Sequence, residues 1–257
     1  MCLLLFAWKM RADYPLILAA NRDEFYDRPS APADFWDDSP EILAGRDLRE
    51  GGAWLGMTKT GRIAALTNYR DPKSFRADAP SRGEIVRGYL RGSEEAKSYL
   101  ATLEQNAFRY NGFNLLVGDR LDLYYFSNRT GIKKLDAGIY GISNSLLDVP
   151  WPKLRRGKEK LARIIASEGK PSTERLFRLL HDRNRPSDDQ LPDTGVGLAY
   201  ERMLSPMFIQ SVEYAYGTRS STAIVVDRTG QAAFSERVFD GQGIPWMTTR
   251  FIVPAEK

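Results

Sequence analysis

Histidine and cysteine are almost missing from this chain: 257 residues carry one of each, His181 and Cys2. A structural zinc site takes about four such ligands, so none of the usual kind can be built. An internal disulfide is impossible, and haem or iron–sulfur ligation through ordinary side chains is equally starved. A Ser-His-Asp triad would have to use His181, which lies in residues 172–183, an ordinary amphipathic helix pattern. Long apolar runs are missing too. The longest, residues 2–8, is followed by Lys9 and Arg11, far short of the ~20 residues that span a bilayer. The start lacks the basic leader and small-residue cleavage site of a secretory signal, so the expectation is a cytoplasmic protein without a membrane span. Blocks of one charge are also absent: 37 basic and 33 acidic residues give a net charge of +4, with no run of five or six cations. Nucleic-acid binding is disfavoured, and a site for an anionic small molecule stays open. No metal or cofactor is implied.

What is present is ordinary for a globular protein: 42% apolar and 27% charged residues. A chain of this length buries roughly 70–75% of its unfolded surface without a disulfide or metal. It is read as one domain, residues 1–257. Residues 3–8 and 15–20 are short continuous apolar runs that suit strands covered on both faces. Residues 26–51, with Pro29, Pro32 and Pro40, read as a long loop. Residues 54–58 and 63–67 pair as a hairpin across Lys59-Thr60-Gly61. Ser81-Arg82-Gly83-Glu84 has the spacing of a capping box ahead of a first helix, and Gly92-Ser93 restarts the pattern for a second. Strands are expected over 113–117, 121–126 and 139–143. Leu154, Leu161, Ile164 and Ile165 stripe a third helix, and Leu176, Phe177, Leu179 and Leu180 a fourth. Residues 184–200 form a polar loop long enough to be a lid or a substrate wall. Strands over 222–227 and 231–236 end the pattern. Strands, helices, strands, helices, strands is not a βαβαβ alternation. The expectation is α+β: two antiparallel sheets face to face with helices outside.

The only thiol follows the initiator Met. Cysteine is small enough for Met1 to be trimmed, which would leave a nucleophile and a free α-amine on one residue. An α-amine titrating near ~7.7–8.0 can take the proton of a thiol at about 8.5 without any histidine. The plainer alternative is a small buried hydrophobe at the start of a strand. A lipidated Cys is a third option. Ala19-Ala20-Asn21-Arg22-Asp23-Glu24-Phe25 places four polar residues where an apolar strand ends. Asp23 can orient the Cys2 amine and Arg22 can favour a thiolate, or both can belong to a turn with a surface ion pair. Gly51-Gly52-Ala53-Trp54-Leu55-Gly56 reads as hairpin glycines with a core Trp. Asn68 and Asn144, at strand ends, can donate to a developing oxyanion or cap loops. Arg219, before the last core strand, can hold a carboxylate or thiolate, or be solvated.

Taken together these segments resemble the NRDE family, also called the transport and Golgi organisation family. The resemblance rests on Met1-Cys2, Asn21-Arg22-Asp23-Glu24, Gly51-Gly52-Ala53-Trp54-Leu55-Gly56, Thr67-Asn68-Tyr69-Arg70, Ser81-Arg82-Gly83, residues 111–119, Tyr140-Gly141-Ile142-Ser143-Asn144, Trp151-Pro152-Lys153 and Gly217-Thr218-Arg219-Ser220. They cover nearly the whole chain in order. A more distant similarity is to N-terminal-nucleophile hydrolases of the bile-salt hydrolase and penicillin acylase type. That similarity implies a four-layer αββα sandwich in which an N-terminal Cys attacks an amide. It assigns Cys2 as nucleophile, Asp23 in an Asn-x-Asp segment as its support, and Asn68, after residues 61–67, as oxyanion donor. Asn144, before Ser145, would be a second such donor and Arg219 a late supporting charge. Those hydrolases carry an Arg just before the Asn-x-Asp, where this chain has Ala20, so Arg22 is the substitute from the other side of Asn21. The implied substrate is a linear amide or acyl thioester. The rival implication is a non-catalytic protein of secretion and Golgi organisation, binding an amphipathic anion such as haem or acyl-CoA, or a scaffold with no pocket chemistry.

Overall fold

A computed structural model describes residues 2–255. The first strands are β1 (Cys2–Trp8) and β2 (Leu16–Phe25). The hairpins β3 (Ser30–Trp36) with β4 (Ser39–Asp47) and β5 (Leu55–Thr58) with β6 (Ile63–Asn68) follow. Helices α1 (Gly83–Arg91) and α2 (Ala96–Asn106) come next, then β7 (Phe113–Gly118), β8 (Leu123–Ser127), β9 (Gly131–Lys134) and β10 (Gly138–Ile142). Helices α3 (Pro152–Ala166), α4 (Thr173–Leu180) and α5 (Leu198–Leu204) precede β11 (Gln210–Ser211), β12 (Tyr216–Val226), β13 (Ala232–Phe239) and β14 (Pro245–Val253).

The strands form two antiparallel sheets. One runs β10-β1-β2-β12-β13-β14, with β11 on β12, and the other runs from β3 to β9 in chain order. The apolar runs of β1 and β2 follow from cover on both faces. Leu4, Phe6 and Trp8 face the second sheet, in one core with Leu18, Leu43, Met57 and Leu116. Leu3, Leu5 and Ala7 face α3 and α4, packing on Leu154, Leu161 and Leu176. Helices α1 and α2 cover the outer face of the second sheet through Ile85, Val86, Tyr89 and Leu100. The order is helix, sheet, sheet, helix, the α+β layering expected.

Three local expectations are overturned. Residues 26–51 are not a loop but hold the β3–β4 hairpin. Its prolines are tolerated because β3 is an edge strand, Pro32 sits at a register slip between Ala31 and Asp34, and Pro40 lies at the start of β4. The capping box does not form: Arg82 is the residue before α1, no side chain caps it, and Glu84 pairs with Arg87 at 2.6 Å. β14 is an edge strand whose burial shows little alternation, so it left no apolar pattern to read.

Two glycines fix where α1 starts. A Cβ on Gly52 would lie 2.5 Å from the Gly83 carbonyl carbon, so the two backbones are in direct contact. The Ala53 N–H donates to the Gly83 carbonyl at 3.3 Å. This approach sets Arg82 against the end of the second sheet.

Candidate active site

A cavity of about 310 Å³ opens at one end of the space between the sheets, with Cys2, Arg22, Asp23, Glu24, Asn68 and Arg82 in its walls. Strand alternation puts the first two there. Cys2 pairs with Arg22 across β1 and β2, and both continue the inward row Leu4, Ala20 and Leu18 beyond the point where the apolar core ends. Arg22 therefore stands directly beside the thiol, whereas Ala20 pairs with Leu4, one step deeper. The polar residues 21–24 do not follow β2 but form its end: Asn21 and Arg22 pair with Leu3 and Cys2 of β1, and all four pair with β12.

Each charge is held differently. Arg22 is 5% exposed and lies over the Trp54 ring at 4.6 Å. Its Nη2 reaches Asp47 Oδ2 at 3.4 Å, and its Nη1 has no hydrogen-bond partner among the described residues. Asp47 is shared with Arg28 Nε at 2.7 Å. Trp54, expected in the core, is a half-buried wall of the cavity. Burial pushes the Cys2 thiol above its ordinary value, outweighing the favourable charge of Arg22. Asp23 is 1% exposed. Its Oδ1 accepts from Thr218 Oγ1 at 2.7 Å and its carbonyl from the Tyr216 hydroxyl at 2.8 Å. Burial raises its carboxyl to about 6, against the opposing pull of Lys153 and the Thr218 hydrogen bond.

Lys153 begins α3, which packs on β1 and β10, with its ammonium buried and donating to the Leu204 carbonyl at 2.9 Å. Burial lowers it to about 8. Asn21 turns to the same helical face, donating to the carbonyls of Leu180 and Met207 and accepting from Ser221 Oγ at 2.6 Å.

The two asparagines meet, but not as equals. Asn68 lines the cavity; Asn144 lies behind it and donates from Nδ2 to the Asn68 carbonyl at 2.9 Å. Arg70 fastens Asn144 in turn: its backbone N–H donates to the Asn144 carbonyl at 2.8 Å, and its Nη1 pairs with Glu201 Oε2 at 2.6 Å. Ser143 Oγ donates to the Cys2 carbonyl at 3.4 Å, tying the same corner to β1.

Arg219 is not among the cavity walls. The register slip between Thr218 and Ser220 sets it apart from the paired row, and its Nη1 donates to the carbonyls of Phe25, Tyr26 and Arg28 at 2.9, 3.0 and 3.2 Å. His181 is exposed and packs against Phe208 with the rings tilted at 45° and their centroids 4.2 Å apart. Sequence reasoning gave no role to Arg82, Glu24, Lys153, Arg70 or Glu201. The first four lie inside the motifs named above, and nothing local marks them as converging, because they come from four separate places: β2, the end of β6, the start of α1 and the start of α3. Glu201 carried no signal at all. Among the described residues no group of three His, Cys, Asp or Glu side chains is placed to hold a metal. No helix there is long and apolar enough to cross a membrane. The expected trimming of Met1 falls on a residue outside those described.

Comparison with known proteins agrees on family and fold. The chain is 37% identical over 272 residues to the mouse Transport and Golgi organization 2 homolog, covering 98% of each. It is 38% identical over 270 residues to the human Transport and Golgi organization protein 2 homolog, covering 97% of each. Among solved structures, a conjugated bile acid hydrolase from Clostridium perfringens superposes with a TM-score of 0.56 at 9% identity, covering 98% of this chain and 92% of that one. The N-acylethanolamine-hydrolyzing acid amidase ortholog of Caenorhabditis elegans gives 0.50 at 11%, covering 87% and 92%. At such identities the likeness concerns the fold: this is the N-terminal-nucleophile hydrolase architecture. The family model for Transport and Golgi organisation 2 matches residues 1–241, and the chain belongs to that family.

Proposed function

We propose that this protein is a cysteine N-terminal-nucleophile hydrolase acting on a linear amide or an acyl thioester, with residues 1–257 working as one cytoplasmic domain. One observation carries the reading: Cys2, Arg22, Asp23 and Asn68 share the walls of a single cavity at the end of the intersheet core. In the proposed cycle Met1 is removed and the Cys2 amine is free. The thiol is neutral at rest because burial disfavours its charge. When substrate enters, the amine takes the thiol proton and the sulfur attacks the carbonyl, forming a C–S bond. Asn68 donates to the oxyanion, and loss of one such donor typically raises a barrier by ~3 kcal/mol. Asn144 acts through Asn68, by fixing its carbonyl. The amine passes its proton to the leaving nitrogen or sulfur, and water then cleaves the acyl-enzyme. Asp23, ionised at neutral pH, faces the amine; Arg22 steadies the transient thiolate.

The test is turnover of a panel of acyl amides and acyl thioesters by wild type, Cys2→Ala and Cys2→Ser. Turnover by wild type that disappears in both variants is expected; turnover that survives Cys2→Ala rejects the nucleophile. A second reading has one observation in its favour, the upward push on the thiol. In it the cavity binds an amphipathic anion such as haem or acyl-CoA without turnover, in keeping with relatives named for transport and Golgi organisation. Tight binding with no turnover across the panel would select it.

A further inference from the structure

Beside the first cavity lies a second, of about 190 Å³, and the two share Glu24 and Asn68 as walls. Their chemistry differs. The remaining walls of the second are Phe25, Tyr200, Met203, Tyr214 and Tyr216. Phe25 is 53% exposed and Tyr200 44% exposed. A single exposed aromatic is commonplace, but several converging on one hollow leave contiguous apolar surface uncovered. The rings are braced in pairs: Phe25 meets Tyr216 edge-on at 5.1 Å, and Tyr200 lies 4.8 Å from Tyr214.

The first cavity has the opposite character. Arg82 donates to the Gly112 carbonyl, and Arg76 to those of Phe108 and Arg109, so among the described residues no carboxylate hydrogen bond neutralises either charge. Arg22 adds an Nη1 that has no hydrogen-bond partner among the described residues, on a guanidinium that is almost fully buried. The walls also carry Asp23, Glu24, Asp47 and Glu50, and Asp47 already pairs with Arg22 and Arg28, so Arg76 and Arg82 are the guanidiniums left for an incoming carboxylate, whose geometry matches their donors.

The two chambers are also mechanically joined. Tyr200 and Met203 are carried by α5, whose Glu201 is clamped by Arg70 in a buried ion pair. Arg70 holds Asn144, which holds Asn68. The aromatic wall and the shared asparagine are thus one unit.

We propose that the aromatic chamber is a binding subsite for a ring or short chain, and that the site takes an amphiphile whose apolar end lies there and whose carboxylate lies among the arginines. At about 30 Å³ per water-sized group, the 190 Å³ chamber accepts about six non-hydrogen atoms, the size of one phenyl ring. The amide or thioester carbonyl then falls at Asn68, between the chambers; this last clause alone rests on the hydrolase reading.

The experiment uses the full chain and three probes: N-phenylacetylglycine, its uncharged glycinamide analogue, and N-acetylglycine. Binding is read by isothermal titration calorimetry and turnover is read separately. N-phenylacetylglycine is expected to bind at least about tenfold more tightly than N-acetylglycine, the value of burying a ring. It is also expected to bind several-fold more tightly than the glycinamide. Phe25→Ala, at an exposed position that leaves the core intact, erases the advantage of the phenyl group and leaves N-acetylglycine binding unchanged. Tyr200→Ala repeats the test from α5. Equal affinity for phenylacetyl and acetyl probes, indifference to both variants, or no binding of any probe overturns the proposal. Ring-dependent binding without hydrolysis supports the subsite and removes the hydrolase; hydrolysis indifferent to Phe25 and Tyr200 does the reverse.

Discussion

Replacing Asp23 with Asn should make the protein more stable at neutral pH while destroying its proposed activity. A carboxyl whose folded pKa lies above its unfolded one favours folding only while it is protonated. For Asp23 that contribution is complete below pH 3.8 and is lost as the pH rises through about 6. At 1.36 kcal/mol per pH unit, the gap between 3.8 and about 6 amounts to about 3 kcal/mol of destabilisation by the ionised form at pH 7.5. The favourable pull of Lys153 is already contained in that gap. Asn keeps the acceptor that Thr218 Oγ1 uses, so Asp23→Asn should recover most of it. In a domain of this size ~3 kcal/mol corresponds to a rise in Tm of roughly 6–12 °C. The assay is thermal unfolding followed by circular dichroism from pH 4 to pH 8. The variant's advantage should be absent near pH 4 and appear across the interval up to about 6. A variant less stable than wild type at pH 7.5, or a difference that does not vary with pH, would refute the claim that burial holds this carboxyl high.

Three further outcomes follow from the same geometry. Arg70→Met leaves Glu201 as an uncompensated buried charge and should lower stability by ~3–5 kcal/mol in urea titrations; adding Glu201→Gln should return much of that loss. Gly52→Ala drives a methyl into the Gly83 backbone and should destabilise by ~1–3 kcal/mol, with slower alkylation of Cys2 because α1 and Arg82 move; an unchanged urea midpoint would contradict the contact. In protein that retains Met1, the rate of Cys2 alkylation by iodoacetamide should reach half its maximum above pH 9.0, since burial raises the thiol. In protein that has lost Met1 the adjacent free amine should move that profile down, and identical profiles would deny any coupling of the two groups.

The layers were legible because their signals are local. Unbroken apolar runs such as Leu3 to Trp8 announce strands covered twice, and the stripes of α3 and α4 announce helices that bury one face. The β3–β4 hairpin was hidden by its prolines, which an edge strand accommodates through register slips that no periodicity shows. At the site, Arg22, Asp23 and Asn68 stand at strand ends in short polar interruptions, whereas Cys2 opens the longest apolar run and is marked only by being the single thiol. Asn144 was found, but its place behind Asn68 was not, since that depends on a hydrogen bond between segments 76 residues apart. Arg219, expected as a late supporting charge or a solvated residue, lies off the cavity walls for a similar reason: the register slip in β12 falls at that residue, and a slip leaves no mark in composition. Lys153 and Arg82 stand in the open in their motifs, yet their meaning comes only from α3 packing on β1 and β10 and α1 seating on Gly52.

A thiol and a primary amine on one residue are the core of the proposed chemistry, and intact-mass spectrometry of the protein caught with a slowly deacylating thioester reads both at once. The expected species is lighter than the encoded chain by one methionine residue and heavier by one acyl group, with the acyl group mapped to Cys2. An acyl-enzyme that still carries Met1, or turnover with no acyl group ever found on Cys2, would contradict it.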